Sequence, residues 1–267
     1  MLSPLYNPPN GVMRLVGFMS GSGSNIRRIL ERQRELEDSV YKMVVIFSDN
    51  AESNAQKIGR DFDVPVVTRD INGFHSARGE KKKNLLRLGQ KVMENPDNEK
   101  LRATYDKYLA LREEFDAETV RVLNPYNVSV AAYGGYMSIA SPVLTAAFFG
   151  VNVHPADLSI ERDGKRVYIG DDAVAKAINT GERFIYSSTH IVTNDVDCGH
   201  VLMISKPLEV NRTETSKQNQ ERLKEHGDLV IFPRTLEYIA RGRYGRQHAV
   251  RVPHRPTFRQ GDPGYRH

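Results

Sequence analysis

Apolar residues in the first seventy positions fall into short blocks, separated by charged stretches of helical period. "GVMRLVGFMS" (residues 11–20) is a strand-length run that closes on the glycine-rich "SGSGSN". The following "IRRILERQREL" places Ile26, Ile29 and Leu30 on one face of a helix and its charges on the other. "YKMVVIFSD", "NAQKIGRDF" and "VPVVTRD" then read as strand, helix and strand. The βαβαβ alternation predicts an α/β fold with a mostly parallel central sheet flanked by helices. Residues 76–121 are strongly charged and read as helical, with Tyr105, Tyr108, Leu109 and Arg112 on neighbouring turns.

Further along, "NVSVAAYG" and "AFFGVNVHP" predict two strands, "DDAVAKAINTG" a short helix, "IYSSTHIVT" and "VLMIS" strands around the loop "NDVDCGH", and residues 215–240 a final helix. Residues 128–153 are apolar enough to raise a membrane span, but their glycines, serines and Pro142 favour strand, turn and helix. With no internal repeat or linker, the pattern divides into an N-terminal extension (1–12), a single domain (13–245) and a C-terminal tail (246–267).

Charge refines this division. The net +5 comes from the end of the chain: residues 241–267 hold seven Arg and one acid, leaving 31 basic and 32 acidic residues before them. A neutral body argues against a nucleic-acid partner, and an Arg tail with Pro and Gly suits a surface or a neighbouring subunit, as in a homodimer. One cysteine, Cys198, excludes an internal disulfide, and the opening segment lacks the pattern of a signal peptide. A cytoplasmic protein is expected.

Three stretches offer chemistry. In "GVNVHPADLS", Asn152 and His154 lie two positions apart, so a strand would aim both heads to one side at its carboxyl end, where open α/β sheets hold ligands; a turn with backbone-bonded Asn is the plainer alternative. "SGSGSN" offers helix-start N–H groups to an anion around Gly21, Gly23, Ser24 and Asn25, or is simply a capped turn. Ile26 stands where a dinucleotide fingerprint needs glycine, so a single phosphate monoester is the better ligand. "THIVTNDVDCGH" presents Asp195, Asp197, Cys198 and His200. A thiol nucleophile at Cys198 has no helix N-terminus or fixed base to lower its pKa, and a metal held by His154, Asp157, His190 and His200 has no supporting spacing.

Together these motifs resemble the folate-dependent formyltransferase family, and within it the branch acting on glycinamide ribonucleotide. "SGSGSN" is similar to that family's phosphate loop "SGxGSN", "GGYMSIASP" to "GFMRILSP", "NVHPADL" to "NIHPSLL" and "VTNDVDCG" to "VTxxxDGG". They occur in the same order over residues 13–242. The resemblance implies a Rossmann-like formyltransferase fold and transfer of formyl from 10-formyltetrahydrofolate, without a metal, to the amine of a phosphorylated acceptor, glycinamide ribonucleotide in purine biosynthesis. An amino sugar nucleotide as acceptor, or formyltetrahydrofolate hydrolysis, is the alternative.

Position by position, the resemblance implies that Asn152, His154 and Asp197 are catalytic. Asn152 and a protonated His154 would donate to the oxyanion, and Asp197 would orient the imidazole and relay a proton. Arg102, Tyr136, Met137, Ile139, Val192 and Asp195 would hold folate, with backbone from Val192 to Asp197 reading the pteridine. Gly21, Gly23, Ser24, Asn25 and Asp228 would hold the acceptor. The chain departs from the family at "SIERDGKRVYIGDDAV", which replaces "LPKYPGLHTH" and puts Asp171 and Asp172 in place of a histidine and its loop. Ser22 and Cys198 are further departures, and segment 76–101 is longer than in compact members.

Overall fold

The alternation seen in the sequence becomes a seven-stranded sheet in the computed structural model, which describes residues 5–6, 11–38 and 40–245. The tail 246–267 and most of the N-terminal extension lie outside the described residues, as do the expectations attached to them. In chain order the elements are β1 (Met13–Met19), α1 (Ser24–Glu35), β2 (Tyr41–Ser48), α2 (Ala55–Phe62), β3 (Val66–Thr68), α3 (Ile71–Ser76), α4 (Leu85–Glu94), α5 (Glu99–Leu123), β4 (Val130–Tyr133), α6 (Pro142–Ala147) and β5 (Phe149–His154). After them come a hairpin of β6 (Glu161–Arg162) and β7 (Lys165–Arg166), α7 (Ala173–Asn179), β8 (Phe184–Ile185), β9 (Ser188–Ile191), β10 (Val201–Ile204), β11 (Leu208–Glu209), α8 (Ser216–Leu223) and α9 (Leu229–Ala240).

The sheet order is β10-β9-β5-β4-β1-β2-β3. Its first five strands in sequence run parallel, and β9 and β10 add antiparallel beyond β5. The strands are buried on both faces, as a helix-covered parallel sheet requires. Along β1, Met13, Leu15 and Met19 join one core with Ile26, Ile29, Phe232 and Leu236 of α1 and α9. Val16 and Phe18, the alternate positions, join the other with Phe115 and Leu123 of α5. A smaller cluster of Tyr168, Val174, Ile185 and Leu223 packs α7 and α8 beside the sheet.

The final helix runs unbroken over residues 216–240 but is not uniform. A π-helical turn at Lys224–Asp228 separates α8 from α9. Pro233, inside α9, has no N–H to give the Leu229 carbonyl, which favours a distorted preceding turn. That turn swings Asp228 toward the carboxyl ends of the strands.

Candidate active site

A cleft of about 320 Å³ opens at those carboxyl ends. Its polar floor is assembled by sheet register. The end of β5 supplies Asn152 and His154, and the antiparallel pairing sets Asn152 opposite His190 and His154 opposite Ser188. The loop from β9 to β10 brings Asp197 across both. His154 Nδ1 lies 3.5 Å from Asp197 Oδ2, and His190 Nε2 lies 3.4 Å from Oδ1. The catalytic set expected from sequence is therefore gathered in one place, and His190 joins it.

His190 orders Asn152. Its Nδ1–H donates to the Ile191 carbonyl at 2.9 Å, which leaves Nε2 as an acceptor for the Asn152 amide at 3.1 Å. One amide N–H is thereby fixed and the other is left for an oxygen in the cleft. The sequence offered only a lone histidine in a strand.

The "VYIGDD" departure closes over His154 and Asp197. His154 Nε2–H donates to the Tyr168 carbonyl at 2.8 Å, the Gly170 N–H donates to Asp197 Oδ2 at 2.9 Å, and Arg166 holds the Asp197 carbonyl. Burial pushes the His154 imidazole below its ordinary pKa, outweighing the attraction of Asp197. With Nε2 bonded to Tyr168, the Nδ1 atom is the one that faces the Asp197 carboxylate. Burial also works against the Asp197 charge, but the neighbouring imidazoles, which carry protons in the acid range where this carboxyl titrates, and the Gly170 N–H outweigh it and hold the carboxyl at about 2.

The Asp197 backbone is left-handed, with φ +56°. Two residues on, the chain passes so near β9 that a Cβ at Gly199 would stand 1.8 Å from the Ile191 carbonyl oxygen. Burial pushes the partly exposed Cys198 thiol up, the opposite of an activated nucleophile. Among the described residues no group of three His, Cys, Asp or Glu side chains is placed to hold a metal ion.

The other expected site residues divide. Tyr136, Met137, Ile139 and Val192 line the cleft, as do Asn25 and Asp228. Arg102 does not reach it: exposed near the start of α5, it donates to the Pro96 carbonyl at 2.6 Å. The arginine of α5 that meets this region is Arg112, ten positions later, buried against Asp116 and donating to the Tyr136 hydroxyl at 2.7 Å. Asp195 also lies off the cleft wall, and its carbonyl accepts from Thr193.

Gly21, Gly23 and Ser24 form the β1–α1 turn beside the cleft rather than its lining. Gly23 has φ +69°, and a Cβ there would come within 2.5 Å of Met19 and 2.6 Å of Ile58. The turn thus needs glycine for packing as well as for conformation. Asn25 is buried and its side-chain oxygen has no partner.

Burial raises the Asp228 carboxyl to about 6, against hydrogen bonds from Ser187 and Asn25. A raised acid adds stability below its unfolded pKa and loses it as pH rises through the folded one. Asp228→Asn, which does not titrate, should therefore be more stable than the natural chain at pH 8, by on the order of 2–3 kcal/mol at most. Its advantage should shrink below pH 6. Urea denaturation at pH 8 and pH 4 checks this, and an advantage independent of pH would contradict it.

No helix among the described residues is long and apolar enough to cross a membrane. A family model described as formyl transferase matches residues 13–236. Phosphoribosylglycinamide formyltransferase of Escherichia coli is 22% identical over 236 residues, covering 86% of this chain and 89% of that protein. The human trifunctional purine biosynthetic protein adenosine-3 is 26% identical over 86% of this chain, which spans only 18% of that longer protein. Among solved structures, glycinamide ribonucleotide transformylase 1 of Symbiobacterium toebii superposes with a TM-score of 0.66 at 21% identity, covering 89% of this chain and 93% of that one. With the sheet order, the polar floor at the end of β5 and a match over most of its length, the chain belongs to the formyl transferase family.

Proposed function

We propose that the protein transfers a formyl group from 10-formyltetrahydrofolate to the primary amine of a phosphorylated acceptor, glycinamide ribonucleotide. The observation that carries the reading is the joining of Asn152, His154, His190 and Asp197 in one cleft. Tyr136, Met137, Ile139 and Val192 fit a flat heteroaromatic ring, and Asn25 and Asp228 fit a hydroxylated acceptor. The unpartnered Asn25 oxygen calls for a donor such as a sugar hydroxyl, so Asn25 would serve the ribose, with the phosphate at the adjoining Gly23–Ser24 turn. The Escherichia coli relative and the Symbiobacterium toebii structure are named for formyl transfer to this acceptor, which supports the reading.

Folate supplies the formyl carbon; the chain's residues handle charge and protons. The amine nitrogen bonds to that carbon and the bond to N10 breaks, giving the formylated amine and tetrahydrofolate. The free Asn152 N–H stabilises the oxyanion in between. His154 Nδ1 accepts the proton leaving the amine, and Asp197 stabilises the imidazolium. The proton then returns to the departing nitrogen.

Incubating the protein with both substrates and detecting formylated glycinamide ribonucleotide by mass spectrometry tests the activity. Asn25→Leu should raise the acceptor KM at least about tenfold, because a bulky apolar side chain leaves the polar acceptor groups unpaired. An unchanged KM would place the acceptor elsewhere.

A further inference from the structure

An acid that the mechanism does not use joins the β1–α1 turn to the segment that enters the cleft. Asp49 directly follows β2 and is 1% exposed. Its carboxylate partners are two hydroxyls: Ser20 Oγ–H donates to Oδ1 at 2.6 Å and Ser138 Oγ–H to Oδ2 at 2.5 Å. Ser20 leads into the Gly21–Ser24 turn, and Ser138 lies between Met137 and Ile139, with which it lines the cleft. Residues 134–141 form neither strand nor helix, and the Met137 side chain is 66% exposed, so neither a backbone ladder nor core packing holds Met137. A carboxylate only accepts, so both serine protons point at Asp49 and each serine oxygen is left to accept in turn. Ser20 Oγ accepts the Met137 N–H at 2.9 Å, and Ser138 Oγ accepts the Lys82 ammonium at 3.1 Å. At the same junction the Ser20 N–H donates to the Gly135 carbonyl at 3.1 Å, and the Asn50 amide to the Ser20 carbonyl at 2.9 Å.

We propose that Asp49 is a positioning residue: through the two serines it fixes Met137–Ile139 against the β1–α1 turn, and with them the spacing at which two bound molecules meet. That those molecules are folate and a phosphorylated amine rests on the function proposed above. Asp49 is not among the residues that line the cleft, so it acts through others. The joint needs an acid. In Asp49→Asn the amide oxygen still accepts one hydroxyl, but the amide N–H groups face the other serine. They compete there for the oxygen that accepts from Met137 or Lys82. A loosened joint costs rate more than affinity. Each molecule keeps its own contacts, whereas a misplacement of about 1 Å between reacting groups slows transfer by up to roughly a hundredfold.

Three measurements on the full chain test the proposal: single-turnover formyl transfer, separate Kd values for a stable 10-formyl folate analogue and for glycinamide ribonucleotide, and hydrogen exchange at the Met137 amide without ligands. In Asp49→Asn the transfer rate should fall at least about tenfold while each Kd moves less than about threefold. Met137 exchange should quicken at least about tenfold, with the β1 and β4 amides unchanged. Ser20→Ala, which deletes the hydroxyl between Asp49 and Met137, should do the same, and the double variant should lose little more than either single one. Should Asp49→Asn not fold, Ser20→Ala alone carries the test. A natural rate in the variant, effects that multiply in the double variant, or exchange that quickens equally in β1 and β4 overturns the proposal. If the natural chain transfers no formyl group, the function above fails and exchange decides alone: selective quickening at Met137 keeps the joint, and no change removes it.

Discussion

Asn152→Ala, His154→Ala and Asp197→Asn should each lower kcat by about a hundredfold or more, with a much smaller change in folate Kd. Loss of one oxyanion donor costs about 3 kcal/mol of transition-state stabilisation, roughly a hundredfold in rate. The substitutions act on one proton and one oxyanion, so a double variant should lose far less than the product of the single effects. His190→Ala belongs to the series as a positioning change. It releases the 3.1 Å contact that orients Asn152, and in an Asn152→Ala background it should cost little more. Single-turnover rates with separately measured folate binding distinguish these outcomes. A Kd that rises in step with the loss of kcat would assign the floor to binding instead.

Arg112→Leu should destabilise the fold by about 3–5 kcal/mol, because it strands a buried carboxylate. Asp116 is fully buried; it is paired with Arg112 and accepts the Ser141 N–H at 2.9 Å. These contacts tie α5 to the segment that carries Tyr136–Ile139 into α6. Arg112→Leu/Asp116→Leu should recover much of the loss, since removing both charges removes the uncompensated one. Chemical denaturation of the two variants decides it; a double variant no more stable than the single one would show that the pair acts by packing alone.

The sequence made the sheet legible because each strand-length apolar block is followed by a segment of helical period, and β1 divides its side chains between two cores as that pattern requires. Asn152 and His154 were legible for a similar reason, since two positions on a strand share a face. His190 was not: its role depends on lying opposite Asn152 in an antiparallel pairing, and register between segments 38 positions apart leaves no local trace. Arg102 drew attention through flanking residues, whereas Arg112 is marked by Asp116 one helical turn later, a charged pair on the buried face of α5. The π-turn before α9 had only Pro233 to announce it. The closure over His154 and Asp197 by Tyr168 and Gly170 uses backbone groups, which any side chains can present.

The left-handed backbone at Asp197 is held in place by the side chain it carries. An aspartate there bears a conformational cost on the order of 1 kcal/mol, which glycine would not bear. At neutral pH the contacts of its charged carboxyl, held at about 2 and bonded by the Gly170 N–H, outweigh that cost. The acid therefore anchors the loop that positions it, and relief of its backbone strain by glycine would loosen the floor of the cleft rather than harden the chain.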